Sequence, residues 1–126
     1  MTPYSDRFEP NQYDDDETVA VAYCKPNDSI EWWKGNEADI AWVPERIFTR
    51  AQAIAAAYEL HLLPVINIYE KTELNSKQAQ ALDEELTFIH YIVNDALLGH
   101  WISAMRKSVQ KVLQSPREMV IIIEGS

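Results

Sequence analysis

The apolar positions along this chain predict its strands. Residues 18–24 (TVAVAYC) alternate between two moderately apolar faces, which is the period of a strand. A β-branched run at 65–69 (VINIY) and a continuously apolar run at 119–123 (MVIII) predict two further strands. Two short segments, 30–33 and 39–43, predict a hairpin. The chain therefore contains the strands of a small sheet.

Apolar residues spaced three and four positions apart predict three helices. The first begins at Thr49, which has the spacing of a capping box with Gln52, and it closes at Pro64. Asn75 and Gln78 supply a second capping pair at the start of the next helix. The second and third helices each carry one apolar stripe, formed by Ala79, Leu82, Leu86, Ile89 and Val93 in one and by Leu98, Ile102, Met105, Val109 and Val112 in the other.

The helical pattern over 76–114 is too long for one straight helix in a compact domain. Such a helix would measure about 58 Å at about 1.5 Å per residue, whereas a domain of this size is about 35 Å across. We therefore favour a break at Asn94 and Asp95. One continuous helix remains the alternative if a dimer partner covers its protruding end.

The length and the order of the elements predict one α/β (α+β) domain. With 126 residues, 47% of them apolar, the chain can bury one core and is too short for two. We expect a small mixed sheet with about three helices packed mainly on one face. Residues 1–16 carry two prolines and no apolar periodicity, so we predict an irregular acidic arm there and a single globular domain over 17–126.

Negative charge is concentrated in the first third of the chain. The net charge is -9, and residues 1–45 hold 11 acids against 3 bases. Such a surface keeps a small protein soluble, and it also steers a basic partner, so both interpretations are open. Because nucleic-acid binding depends on Lys and Arg that neutralise phosphates, we expect no nucleic-acid partner.

Other classes of site and location are not expected either. No apolar run approaches the roughly 18 residues of a membrane helix, and the acidic N-terminus does not resemble a signal peptide, so we expect a cytoplasmic protein. Cys24 is the single cysteine, which excludes an internal disulfide and a cysteine metal cluster. The three glycines lie too far apart for a phosphate-binding loop. We expect no cofactor, no metal, and a monomer or a homodimer.

The candidate catalytic groups have simpler structural explanations. His90 and His100 lack the four-residue spacing that places two metal ligands on one helical face. The acidic run 83–85 lies between Leu82 and Leu86 of the apolar stripe, so we interpret it as a solvated helix face. The favourable field at a helix C-terminus explains the basic cluster of Arg106, Lys107, Lys111 and Arg117.

The segment 28–42 combines tryptophan with acidic residues. Three of the four tryptophans lie there together with four acids. Trp32 and Trp33 are adjacent, so in an extended chain they point to opposite sides. An outward tryptophan ringed by acids is a typical anchor for a basic protein, and the alternative is that both are core aromatics that cover the sheet. The predicted partner-binding residues are Asp28, Glu31, Trp32, Trp33, Glu37 and Asp39.

In size, acidity and concentration of tryptophan and acid, the chain resembles the small immunity proteins that bacteria make against their own polymorphic or contact-dependent toxins. The resemblance is one of type, spans the whole chain and assigns no residue a role. It implies a protein that neutralises a basic partner, most often a toxin nuclease domain. The acids would then occlude the active site in place of nucleic-acid phosphates. Complementary charge gives such a complex fast association, and buried aromatic anchors give it slow dissociation.

Two other functions are open at this point. A small enzyme or ligand-binding domain could assemble its site in the folded chain around His90, His100 and Glu85. A deep pocket shared by two of these side chains would favour that function, whereas a flat acidic face with an exposed tryptophan would favour the binding protein. The third possibility is an adaptor that dimerises through its two long helices.

Overall fold

The computed structural model describes residues 17–27, 40–115 and 118–125 of the chain. These residues form four strands and three long helices. In chain order the elements are β1 (Thr18–Cys24), β2 (Ile40–Pro44), α1 (Glu45–Ala57), β3 (Thr72–Leu74), α2 (Ser76–Ile92), α3 (Ala96–Gln114) and β4 (Val120–Gly125). The strands predicted at 18–24, 39–43 and 119–123 are therefore confirmed, whereas the segment 30–33 lies outside the described residues.

The four strands form one antiparallel sheet in the order β2-β1-β4-β3. Val21 of β1, for example, lies opposite Ala41 on one side and Ile123 on the other. The predicted α+β class is confirmed, but the pairings are all antiparallel where we expected a mixed sheet. For β3 and β4, the reason is that two helices connect the strands. Because α2 carries the chain away and α3 brings it back, β4 begins where β3 ends and runs in the opposite direction.

The three helices pack on one face of the sheet and enclose the main core, as predicted. Val19 and Val21 of β1 and Ile121 and Ile123 of β4 point towards the helices and are fully buried. The apolar stripes of α2 and α3 pack against them, with Leu86 at 0% exposure. This layer of helix on sheet supplies most of the apolar burial in the described residues.

The second face of the sheet is also apolar. Ala20, Ala22 and Ile122 have 0% exposure there, with Ile40 and Trp42 packed beside them. None of the described helices contributes to this second cluster. Burial on both sides explains why both faces of the β1 sequence are apolar.

The first helix begins four residues earlier than predicted. α1 starts at Glu45, whose backbone N–H donates to the Glu17 carbonyl at 2.8 Å. Thr49 is not a cap: its hydroxyl donates back to the Glu45 carbonyl at 3.0 Å. The Gln52 side chain does not cap the helix either, because its Nε2 donates hydrogen bonds to the Leu63 and Ile66 carbonyls. The capping-box prediction at this helix is therefore wrong.

The long helical region is divided at residues 93–95, as predicted. Asp95 is the N-cap of α3, and its Oδ1 accepts a hydrogen bond from the Leu98 N–H at 3.0 Å. The same carboxylate pairs with the Arg50 guanidinium of α1. Asp95 thereby fixes the break and joins two helices. At the other end of α2, the predicted capping box of Asn75 and Gln78 is present.

The predicted strand at 65–69 is wrong. The chain forms a short 3-10 helix at Leu63–Val65 and continues as a loop, with Ile66 and Ile68 buried as anchors. The backbone of this loop bonds to side chains and to Gly125, whose N–H donates to the Ile68 carbonyl at 2.7 Å. The third strand instead forms at Thr72–Leu74, where β4 offers a free edge.

Candidate partner-binding surface

The six residues predicted to bind the partner, Asp28, Glu31, Trp32, Trp33, Glu37 and Asp39, lie outside the described residues. The structure therefore neither groups nor separates them. It does describe the chain on both sides of the segment. Ile40 pairs with Ala22 near the end of β1. Asn27, in a left-handed turn conformation, donates its backbone N–H to the Glu73 carboxylate at 2.7 Å. Asn27 and Ile40, the described residues on either side of 28–39, thus both lie near the end of the sheet where β1 stops.

A described acidic cluster lies at the opposite end of β1. Glu17 precedes the strand and is joined through its backbone to Glu45 at the start of α1. The Tyr69 hydroxyl donates to Glu45 Oε1 at 3.2 Å, and the tyrosine ring is 81% exposed. This hydrogen bond, together with the negative charges of Glu45 and Glu17, raises the pKa of Tyr69. Described acidic side chains therefore lie at both ends of β1, with Glu73 at one end and Glu17 and Glu45 at the other.

The acidic run on α2 is not the uniformly solvated face that its spacing predicts. Asp83 accepts a hydrogen bond at 2.8 Å from Nε of Arg106 on α3. Glu85 accepts two backbone N–H groups, from Leu62 at 2.9 Å and Leu63 at 2.8 Å. Only the middle residue, Glu84, remains exposed. Two of the three carboxylates therefore stabilise the packing of α2 against α3 and against the loop after α1.

Three aromatic side chains form an exposed surface that the sequence analysis missed. Phe88 of α2 contacts Tyr58, which follows α1, with ring centroids 5.5 Å apart in an edge arrangement. Tyr91 is 89% exposed on the same helix as Phe88. Tyr58, Phe88 and Tyr91 are called the aromatic patch below. The sequence signal was present, because Phe88 and Tyr91 fall off the apolar stripe of α2 on its polar side.

The two histidines considered for an alternative site do line one depression. His90 and His100 lie with Ser103 around an open depression of about 640 Å³ beside the break between α2 and α3. Glu85 is not part of it, because its carboxylate binds the backbone at Leu62 and Leu63. In the described part of the chain, no hydrogen bond joins Ser103 to either imidazole. The described lining of the depression thus shows the two imidazoles and the serine hydroxyl side by side, without a hydrogen-bonded pair of nucleophile and base.

No group of three or more His, Cys, Asp or Glu side chains within 17–27, 40–115 and 118–125 is arranged to hold a metal ion. Nor does any helix of the described chain combine the length and apolar character needed to cross a membrane.

The sequence matches no protein-family model, and no curated protein is significantly similar to it. Among solved structures, the chain is similar to the Neisseria DNA mimic protein DMP12. The similarity has a TM-score of 0.52 at 12% sequence identity, and it covers 83% of this chain and 97% of that chain. At this identity the likeness is one of fold, and it extends over nearly the whole of the neighbour.

Proposed function

We propose that this chain is a non-enzymatic binding protein that occupies the nucleic-acid-binding surface of a basic protein. The observation that carries the proposal is that a chain with a net charge of -9 shares the fold of a DNA mimic protein. A DNA mimic presents carboxylates where DNA presents phosphates. Its partner is therefore a protein that binds DNA through Lys and Arg.

Among DNA-binding proteins, we propose a toxin nuclease domain as the partner, and we propose that the two proteins bind each other in the cytoplasm. The support is the resemblance in type to small bacterial immunity proteins. A nuclease holds its substrate by the phosphates, so an acidic protein bound over that site excludes the substrate by charge and by volume. Identification of the bound protein distinguishes a nuclease from another DNA-binding protein.

The distribution of charge along the chain supports a role for residues outside the described ranges. The described residues hold 11 acids and 8 bases, so they account for only -3 of the net charge of -9. The remaining -6 belongs to residues outside them, chiefly 1–16 and 28–39. Of these two segments, only 28–39 combines its acids with tryptophan, so we propose that the main docking acids are Asp28, Glu31, Glu37 and Asp39, with Trp32 or Trp33 as the anchor.

Charge reversal at Glu31 and Asp39 together is expected to slow association with the partner without unfolding the domain. Exposed charges steer association over about one Debye length, about 8 Å at physiological salt. Added salt should therefore slow association of the wild type more than it speeds dissociation. The partner is first captured on the immobilised protein and purified. Surface plasmon resonance across a salt series then measures its association and dissociation rates with each variant.

The matched control is charge reversal at Glu70 and Glu118, two exposed acids that change the net charge by the same amount. Equal slowing by both double variants would show that total charge, and not residues 28–39, directs the encounter. Alanine at Trp32 and at Trp33 separates the two roles open for these residues. If the complex dissociates faster while the thermal stability of the variant is unchanged, the tryptophan is an anchor. If the variant loses thermal stability, the tryptophan is a core aromatic.

A further inference from the structure

The aromatic patch is unusual for a helix that also faces the core. The exposed fractions of Tyr58, Phe88 and Tyr91 are 55%, 38% and 89%. The opposite side of α2 is fully covered, since Leu86 and Ile89 have 0% exposure. Two aromatic rings on the polar side of this helix therefore add nothing to the core. A cluster of exposed aromatic side chains is typical of a surface that binds another molecule.

A groove between α2 and α3 adjoins the patch. It measures about 520 Å³ and is lined by Asp83, Glu84, Thr87, Phe88, Tyr91 and Arg106. Arg106, the one cation among the described lining residues, is paired with Asp83 through Nε. Glu84 is exposed in the same lining as the two rings, and its Oε1 accepts a long hydrogen bond, 3.5 Å, from the neutral Gln80 amide. The groove thus offers aromatic faces and one unneutralised carboxylate, and this combination is complementary to a cation.

We propose that the groove and the aromatic patch bind an arginine side chain of the basic partner, as a contact in addition to the one proposed for residues 28–39. The inference rests on the proposed function, since it assumes a basic protein as partner. An arginine guanidinium stacks on aromatic faces and bonds to a carboxylate at the same time. Phe88 and Tyr91 supply the faces, and Glu84 supplies the carboxylate.

The probe for this contact is an octa-arginine peptide, and the readout is the NMR signals of Phe88 and Tyr91. Titration of the full chain should shift both ring signals and the Glu84 amide, and these shifts give a dissociation constant for this site alone. Replacing Phe88 and Tyr91 by alanine should weaken that site, read from the Glu84 and Thr87 amides, by roughly fivefold to tenfold. Glu84→Arg tests the same site without touching a ring, and it should have an effect of similar size.

The matched control is Tyr69→Ala, which removes another exposed aromatic beside a carboxylate but at the far end of α1. Its effect on the Glu84 and Thr87 shifts should be less than twofold. Unshifted Phe88 and Tyr91 signals at saturating peptide, or equal weakening by Tyr69→Ala, would overturn the inference. The proposed function fails on a different result, namely a partner that binds this chain and DNA at the same time.

Discussion

Replacing Leu86 by alanine is expected to lower the free energy of unfolding by about 2 to 5 kcal/mol. Leu86 has 0% exposure at the centre of the α2 stripe, where it packs between the helices and the sheet. The substitution removes apolar contacts and leaves a cavity that the surrounding strands and helices fill only in part. Urea denaturation followed by circular dichroism measures the change.

The control for this variant is Glu84→Ala, two positions away on the exposed side of the same helix. It should change the free energy of unfolding by less than about 0.5 kcal/mol, as surface substitutions do. A loss below about 0.5 kcal/mol for Leu86→Ala would mean that the stripe of α2 is not packed in a core in solution.

Replacing Asp95 by alanine is expected to cost about 2 to 3 kcal/mol of stability. The substitution removes the cap on the Leu98 N–H and the ion pair with Arg50. Loss of the cap accounts for about 1 kcal/mol. Loss of the ion pair leaves the Arg50 side chain, 48% exposed, free to reach water, so its cost is below that of a fully buried charge.

Asp95→Asn separates the two contributions, because asparagine caps a helix about as well as aspartate but carries no charge. We expect the asparagine variant to recover about 1 kcal/mol of the loss in thermal and urea denaturation. Equal stability of wild type and Asp95→Ala would show that neither the cap nor the ion pair fixes the break between α2 and α3.

The break at residues 93–95 could be predicted because the rules that produce it are local. A long apolar stripe exceeds the size of the domain, and Asp95 is a good N-cap residue placed where the stripe shifts. The strand at Thr72–Leu74 could not be predicted, because its pairing depends on β4, about 50 positions further along the chain. The run at 65–69 looked more strand-like, yet its backbone bonds to Gln52 and Gly125. In both segments, hydrogen-bond partners far away in the sequence determine whether a strand forms.

At the candidate site, too, some features can be predicted from the sequence and others depend on long-range contacts. Concentration of acid in the first third of the chain is a property of the sequence and is visible without coordinates. The role of Glu85 is not, because the backbone that it binds belongs to a loop more than 20 positions earlier. The aromatic patch lies between these cases: the exposed positions of Phe88 and Tyr91 follow from helical spacing, whereas their contact with Tyr58 requires the fold.

Competition with DNA tests the central claim most directly. The captured partner, a fluorescent 30-base-pair duplex and this protein are mixed, and the species present are separated by analytical ultracentrifugation at physiological salt. If the chain occupies the nucleic-acid-binding surface, each partner molecule sediments either with the duplex or with this protein, and never with both. Increasing the concentration of this protein then releases all of the duplex from the partner. A ternary complex that contains all three components, or no basic protein captured at all, would contradict the account.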